Sequence, residues 1–99
     1  MNTMKEKETV YTQNPDVVAR RIADEFLLVP VRRTAADVDK IYALNDTAGR
    51  IWELIDGNRS LSSIRDTIVA EYDIGASRAE SDILACIKHM KKIGAIQSA

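Results

Sequence analysis

The 99-residue chain has a single cysteine, Cys86, and a single histidine, His89. One cysteine excludes an internal disulfide and any multi-cysteine metal site. A zinc site draws about three or four protein ligands at tight spacing. Cys86 and His89, three positions apart, share a helical side but have no partner motif, so no metal is expected. There is no glycine-rich phosphate loop. The carboxylates fall in polar loops (Asp37, Asp39) or at a helix start (Glu80, Asp82), with no pair in an apolar setting. Charge of one sign is also missing: 14 Lys and Arg against 15 Asp and Glu leave a net charge of −1. Such a chain projects no basic field toward nucleic acid or anionic lipid. No apolar run approaches the roughly 18 residues that span a bilayer. The opening MNTMKEKETVYTQN carries charges and no apolar core, unlike a signal peptide. A cytoplasmic protein without a cofactor is the expectation.

What remains is enough for one small domain, with 45% hydrophobic residues and little room for a deep active site. Residues 1–14 are polar and unpatterned and read as a disordered tail, with the domain occupying 15–99. "VVARRI" (17–22) and "EFLLVPV" (25–31) are rich in β-branched and apolar residues around Ala23-Asp24, as in a hairpin. Pro30 cannot donate to a ladder, so the second strand ends or bulges there. "KIYAL" (40–44) reads as a third strand in which Tyr42 and Leu44 point the same way.

The apolar period then becomes helical. Ala48, Ile51, Trp52 and Ile55 fall on one face, with Asn45 as N-cap and Gly57 as C′. A second helix starts at Ser60 and buries Leu61, Ile64, Ile68 and Tyr72, with Gly75 breaking the chain after it. A third carries the S-x-x-E capping box Ser77/Glu80, repeats Ile83, Ile87 and Met90, and stops at Gly94. "AIQ" is placed to pair briefly with the sheet. A three-stranded antiparallel sheet followed by three helices is an α+β, winged-helix-like architecture.

Winged helices suggest DNA binding, by a regulator, as the alternative function. On the third helix only Arg78 would help, while Glu80 and Asp82 would repel phosphate. On the second, Ser62, Ser63 and Arg65 are opposed by Asp66 and Glu71. Catalysis by Cys86 and His89 requires an accessible thiol of lowered pKa, whereas a thiol beside an apolar stripe behaves as a small hydrophobe. No catalytic residue is assigned.

"LNDTAGRIWELIDGNRSLSSI" (44–64) resembles the pyrroloquinoline-quinone synthesis protein D family, PqqD. Leu44, Asn45, Thr47, Ala48, Ile51, Trp52, Leu54, Asp56 and Gly57 stand where that family's pattern requires them. Ser60 and Ile64 match its next helix, and Asp82, Ile83, Ile87, Met90 and Gly94 its last. The resemblance spans about residues 15–97. It departs at Ser63, where the family often has an acidic residue, and its upstream segment looks like that of free-standing relatives.

The resemblance implies a non-catalytic peptide-recognition element. It would hold the leader of a ribosomally made precursor peptide and present it to a modifying enzyme of the radical S-adenosylmethionine type. The leader would add as a strand beside the third strand, lying against the third helix. Ile41, Tyr42, Ala43, Leu84, Ile87 and Met90 are the expected apolar lining, with Lys88 and Lys91 meeting acidic leader residues at the rim. The same exposed edge also permits self-pairing, so the oligomeric state is left open.

Overall fold

The computed structural model describes residues 7–31 and 41–99. Strand β1 spans Val10–Gln13, β2 Val17–Ile22, β3 Glu25–Pro30 and β4 Tyr42–Leu44. Helix α1 follows at Asp46–Leu54, then β5 at Asp56–Ser60, α2 at Leu61–Tyr72, α3 at Ala76–Lys92 and β6 at Ile96–Ser98. The antiparallel sheet β2-β3-β4 and the three helices are those expected. A second antiparallel sheet, β5-β1-β6, was not expected.

The β2–β3 hairpin turns through Ala23 and Asp24 and pairs Ile22 with Glu25, Arg20 with Leu27 and Val18 with Val29. Ala23 sits at φ +54°, a left-handed backbone that glycine would adopt more readily. Pro30 ends β3, as its missing N–H requires. β4 pairs with β3 as Phe26–Leu44, Leu27–Ala43 and Leu28–Tyr42. The expected strand 40–44 thus begins at Tyr42; Lys40 lies outside the described residues.

Phe26 and Leu28 point inward from this sheet and pack on Ile51, Trp52 and Ile55 of the α1 segment. Leu61, Ile64 and Ile68 of α2 and Ile83, Ile87 and Met90 of α3 complete the core. Most of these are at most 3% exposed, and each such burial contributes about 1.5–3 kcal/mol. Asn45 caps α1, its Oδ1 accepting from the Ala48 N–H at 2.8 Å. Ser60 caps α2, its Oγ accepting from the Ser63 N–H at 3.2 Å. Gly94, at φ +74°, turns the chain out of α3.

Several expectations need correction. Residues 10–13 are not a mobile tail: Tyr11 is 4% exposed in the core, and β1 is the middle strand of the second sheet. The strand is held by side chains as well, with Gln13 Nε2 donating to the Trp52 carbonyl (2.9 Å) and Asn14 Nδ2 to that of Gly94 (2.8 Å). Main-chain carbonyls of Lys7 and Thr9 accept from the Ser62 and Leu61 N–H groups, the otherwise orphaned donors of α2's first turn. Residues 1–6 lie outside the described part of the chain.

The Ser77/Glu80 capping box does not form. Gly75 is the N-cap of α3, two residues earlier than Ser77, and it has no side chain with which to cap. Glu80 instead receives a hydrogen bond from Arg65 Nη1 at 2.9 Å, tying α3 to α2. Gly57 lies one place beyond C′, since α1 is C-capped by Ile55; at φ +84° it sits within β5, in the stretch where the register against β1 shifts. "AIQ" does pair, but with β1 rather than with the hairpin sheet.

Candidate functional site

β4 forms one edge of its sheet. A two-residue hairpin loop makes Ile22–Glu25 a pair that exchanges both backbone bonds, and bonding alternates along the ladder from there. Glu25, Leu27 and Val29 therefore bond toward β2, and Phe26 and Leu28 toward β4. The pairs Phe26–Leu44 and Leu28–Tyr42 are the hydrogen-bonded ones, and Leu27–Ala43 is the non-bonded one. The N–H and C=O of Ala43 consequently point away from β3, out of the sheet edge.

Outside that edge runs a groove between β4 and α3. Ala43, Leu44 and Asn45 form one wall, Ala85, Cys86 and His89 the other, with buried Met90 and Ala48 beneath. Its volume is about 290 Å³. A second hollow of about 280 Å³ shares Asn45, Ala48, Ala85 and Cys86 with it and extends the groove to Thr47, Arg78 and Asp82. Alanines at 43, 48 and 85 leave this space open. At one end the Tyr42 and His89 rings meet edge-on, centroids 4.6 Å apart, joining β4 to α3; such pairs contribute about 0.5–1.5 kcal/mol. At the other, Arg78 Nε stands 3.9 Å from Asp82 Oδ2, a solvated pair of little energetic weight.

The groove offers shape and backbone rather than chemistry. Burial, and secondarily the negative charge of Asp82, push the Cys86 thiol up to about 11, opposite to the shift a nucleophile needs. Among the described residues no three His, Cys, Asp or Glu side chains are grouped to hold a metal. Arg65, the basic residue α2 would offer to a phosphate, is engaged by Glu80 and Asp66.

Of the residues expected at the site, Ala43 and Met90 line this groove and Tyr42 closes its end. Leu84, Ile87, Lys88 and Lys91 do not face it; they line a separate hollow on the other flank of α3. The reason is helical period. At 3.6 residues per turn, Leu84, Lys88 and Lys91 are about half a turn round the helix from Asp82, Cys86 and His89. Lys91 instead places Nζ 5.6 Å from the centroid of the Tyr11 ring on β1. Ile41 turns to the opposite face of the sheet, beside Arg20, Ile22 and Leu27. The sequence reading missed Ala48, Ala85, Cys86 and His89 as groove residues. The i, i+3, i+4, i+7 run Asp82, Ala85, Cys86, His89, beside the apolar stripe, is the pattern that marks the three on α3.

The candidate site is thus a strand edge beside a groove on α3. The family model described as coenzyme PQQ synthesis protein D (PqqD) matches residues 25–96. The chain belongs to the PqqD family. Two solved structures share its fold. One is TbiB1 in complex with the TbiA(beta) leader peptide, with a TM-score of 0.71 and 22% identity over 87% of this chain and 94% of that one. The other is a lasso peptide synthetase B1 complexed with the leader peptide, with a TM-score of 0.72 and 22% identity over 88% and 96%. No curated protein sequence matches the chain.

Proposed function

We propose that this chain is a non-catalytic carrier for the leader of a ribosomally made precursor peptide. The leader is held by strand addition to β4 and presented to a modifying enzyme. The observation that carries the proposal is the outward backbone of Ala43 at a strand edge that no other described strand pairs, flanked by a groove against α3. A peptide strand laid there bonds to Ala43 N–H and C=O, which supplies affinity with little regard to sequence. Every second peptide side chain then points toward α3, into the space between Ala43, Ala48, Ala85, Cys86 and His89, where specificity resides. Two proteins of the same fold carry leader peptides, which supports this reading. The raised pKa of Cys86 supports a site that binds rather than reacts. The expected location is the cytoplasm, where a newly made peptide is available.

The enzyme is the finer part of the proposal. Resemblance to the PqqD family points to a radical S-adenosylmethionine enzyme, whereas the two solved structures described above are leader-bound B1 proteins, one of them a lasso peptide synthetase B1. A pull-down from the native host, with the protein tagged at its C-terminus and the eluate read by mass spectrometry, decides between them. The expected result is a short ribosomal peptide together with one such enzyme. Ala85→Trp, at an exposed groove position, should fold normally and lose the peptide. Recovery of duplex DNA, with binding that falls steeply with salt, would replace the proposal with a regulator.

A further inference from the structure

The hairpin sheet has a second face, turned away from the helices, and its composition is unusual. An antiparallel sheet with one solvated face normally alternates apolar inward and polar outward. Here the outward positions of β2 are Val18, Arg20 and Ile22. Those of β3 and the residue after it are Glu25, Leu27, Val29 and Val31, and beside β4 lies Ile41. The large hydrophobic side chains most exposed among the described residues are Ile22 at 59%, Val31 at 54% and Ile41 at 39%, and all three lie on this face. Two hollows cross it, both bordered by Arg20 and by the buried Val29, and among the described residues no acidic side chain lines either one.

We propose that this outer face is the docking surface for the enzyme that receives the peptide, and that it takes an apolar patch carrying a carboxylate. The inference rests on the carrier reading above and adds the second contact that reading requires. Charge argues for the carboxylate: the chain is net negative, yet of the described residues at these hollows the ionised side chain on this face is Arg20, while Arg21 lies over the Phe26 ring on the other side and Glu25, at the hairpin end, lines neither hollow. A guanidinium amid apolar side chains pairs best with a planar carboxylate. Size argues against a stable dimer of this chain. Three strands at ~4.8 Å spacing and seven residues at ~3.3 Å rise make a patch on the order of 300 Å². A standard interface takes about 800 Å² per partner. A patch of this size suits a contact that forms and releases. Position gives it a purpose, because β4 borders both this face and the peptide groove, so a partner docked here lies about one strand spacing from the bound peptide.

The test uses full-length protein, the peptide recovered by the pull-down, and the purified enzyme recovered with it. Arg20→Glu and Ile22→Glu, both at exposed positions, are compared with wild type for thermal unfolding, peptide affinity and enzyme affinity. The expected result is unchanged unfolding and peptide binding, with enzyme affinity reduced at least tenfold by like-charge repulsion at position 20. A photo-crosslinker at Ile22 should form an adduct with that enzyme. Undiminished enzyme affinity in both variants, no adduct, or an adduct only with a second copy of this chain would each overturn the proposal. Wild type that binds no peptide would remove the carrier reading itself, a separate outcome read from the affinity arm alone.

Discussion

Proline at position 43 should abolish most peptide binding while leaving the protein folded, and proline at position 42 should do the reverse damage. Ala43 directs its N–H outward, so Ala43→Pro removes no bond to β3. Tyr42 directs its N–H to Leu28, so Tyr42→Pro breaks the ladder and displaces a ring that packs on His89. For the bound peptide, losing the Ala43 donor forfeits a hydrogen bond worth about 0.5–1.5 kcal/mol net. It also leaves a peptide carbonyl facing a proline ring, with a desolvation penalty of about 1–3 kcal/mol. At about 1.4 kcal/mol per decade, the sum is a loss of roughly 10-fold to 1000-fold in affinity. The assay is fluorescence anisotropy with the labelled peptide recovered from the host, alongside thermal unfolding followed by circular dichroism. Ala43→Gly, which keeps the N–H, serves as control and should bind within about threefold of wild type. Unchanged affinity in a folded Ala43→Pro protein would refute strand addition at this edge.

Three further outcomes follow from the geometry. Gly49 packs so close to the Phe26 ring that a Cβ would lie 2.9 Å from Cδ2. Gly49→Ala should therefore lower the melting temperature, because overpacking of about 1–3 kcal/mol exceeds the ~1 kcal/mol helix-propensity gain. With its thiol held at about 11, Cys86 should be about 10⁻⁴ thiolate at pH 7 and alkylate slowly, the rate rising with pH up to that value. Rapid labelling at neutral pH in the folded protein would contradict the burial. The Arg50 guanidinium holds the Glu71 carboxyl below its usual range, and the Asn58 N–H does the same for Asp56. These depressed carboxylates contribute stability present above the unfolded-state range near pH 4 and lost as pH falls through the lower folded values. Arg50→Gln should shrink the acid-side decline in melting temperature.

The elements legible in the sequence were those whose signals are local. The hairpin announced itself through two β-branched runs, α1 through Asn45 and the Ile51/Trp52/Ile55 spacing, and the end of α3 through Gly94. β1 and β5 were not legible because their stability is not local. "VYTQ" contains one large buried ring, and "DGNRS" is rich in turn-forming residues; β5 becomes a strand by pairing with β1, and β1 by pairing with β5 and β6. The capping-box motif at Ser77 misled because a glycine preceding it started the helix earlier. The strand edge was readable, since β4 comes last in its meander. The groove wall was not, because choosing between the flanks of α3 requires knowing which way the helix is rotated over the sheet. Buried Ile83, Ile87 and Met90 set that rotation through contacts distant in sequence.

The pairing of β1 with β6 places Tyr11 beside Ser98, so the two ends of the domain's path emerge side by side. They do so in the sheet that does not contain β4. The unit is thus built like a plug, joined to the rest of any polypeptide through the neighbouring strands β1 and β6 rather than at the β4 edge. New termini opened elsewhere, with the old ones bridged by a short linker, should leave that edge intact. The same geometry would let the unit be spliced into a loop of an enzyme, delivering a bound peptide without a separate encounter and raising its effective concentration there.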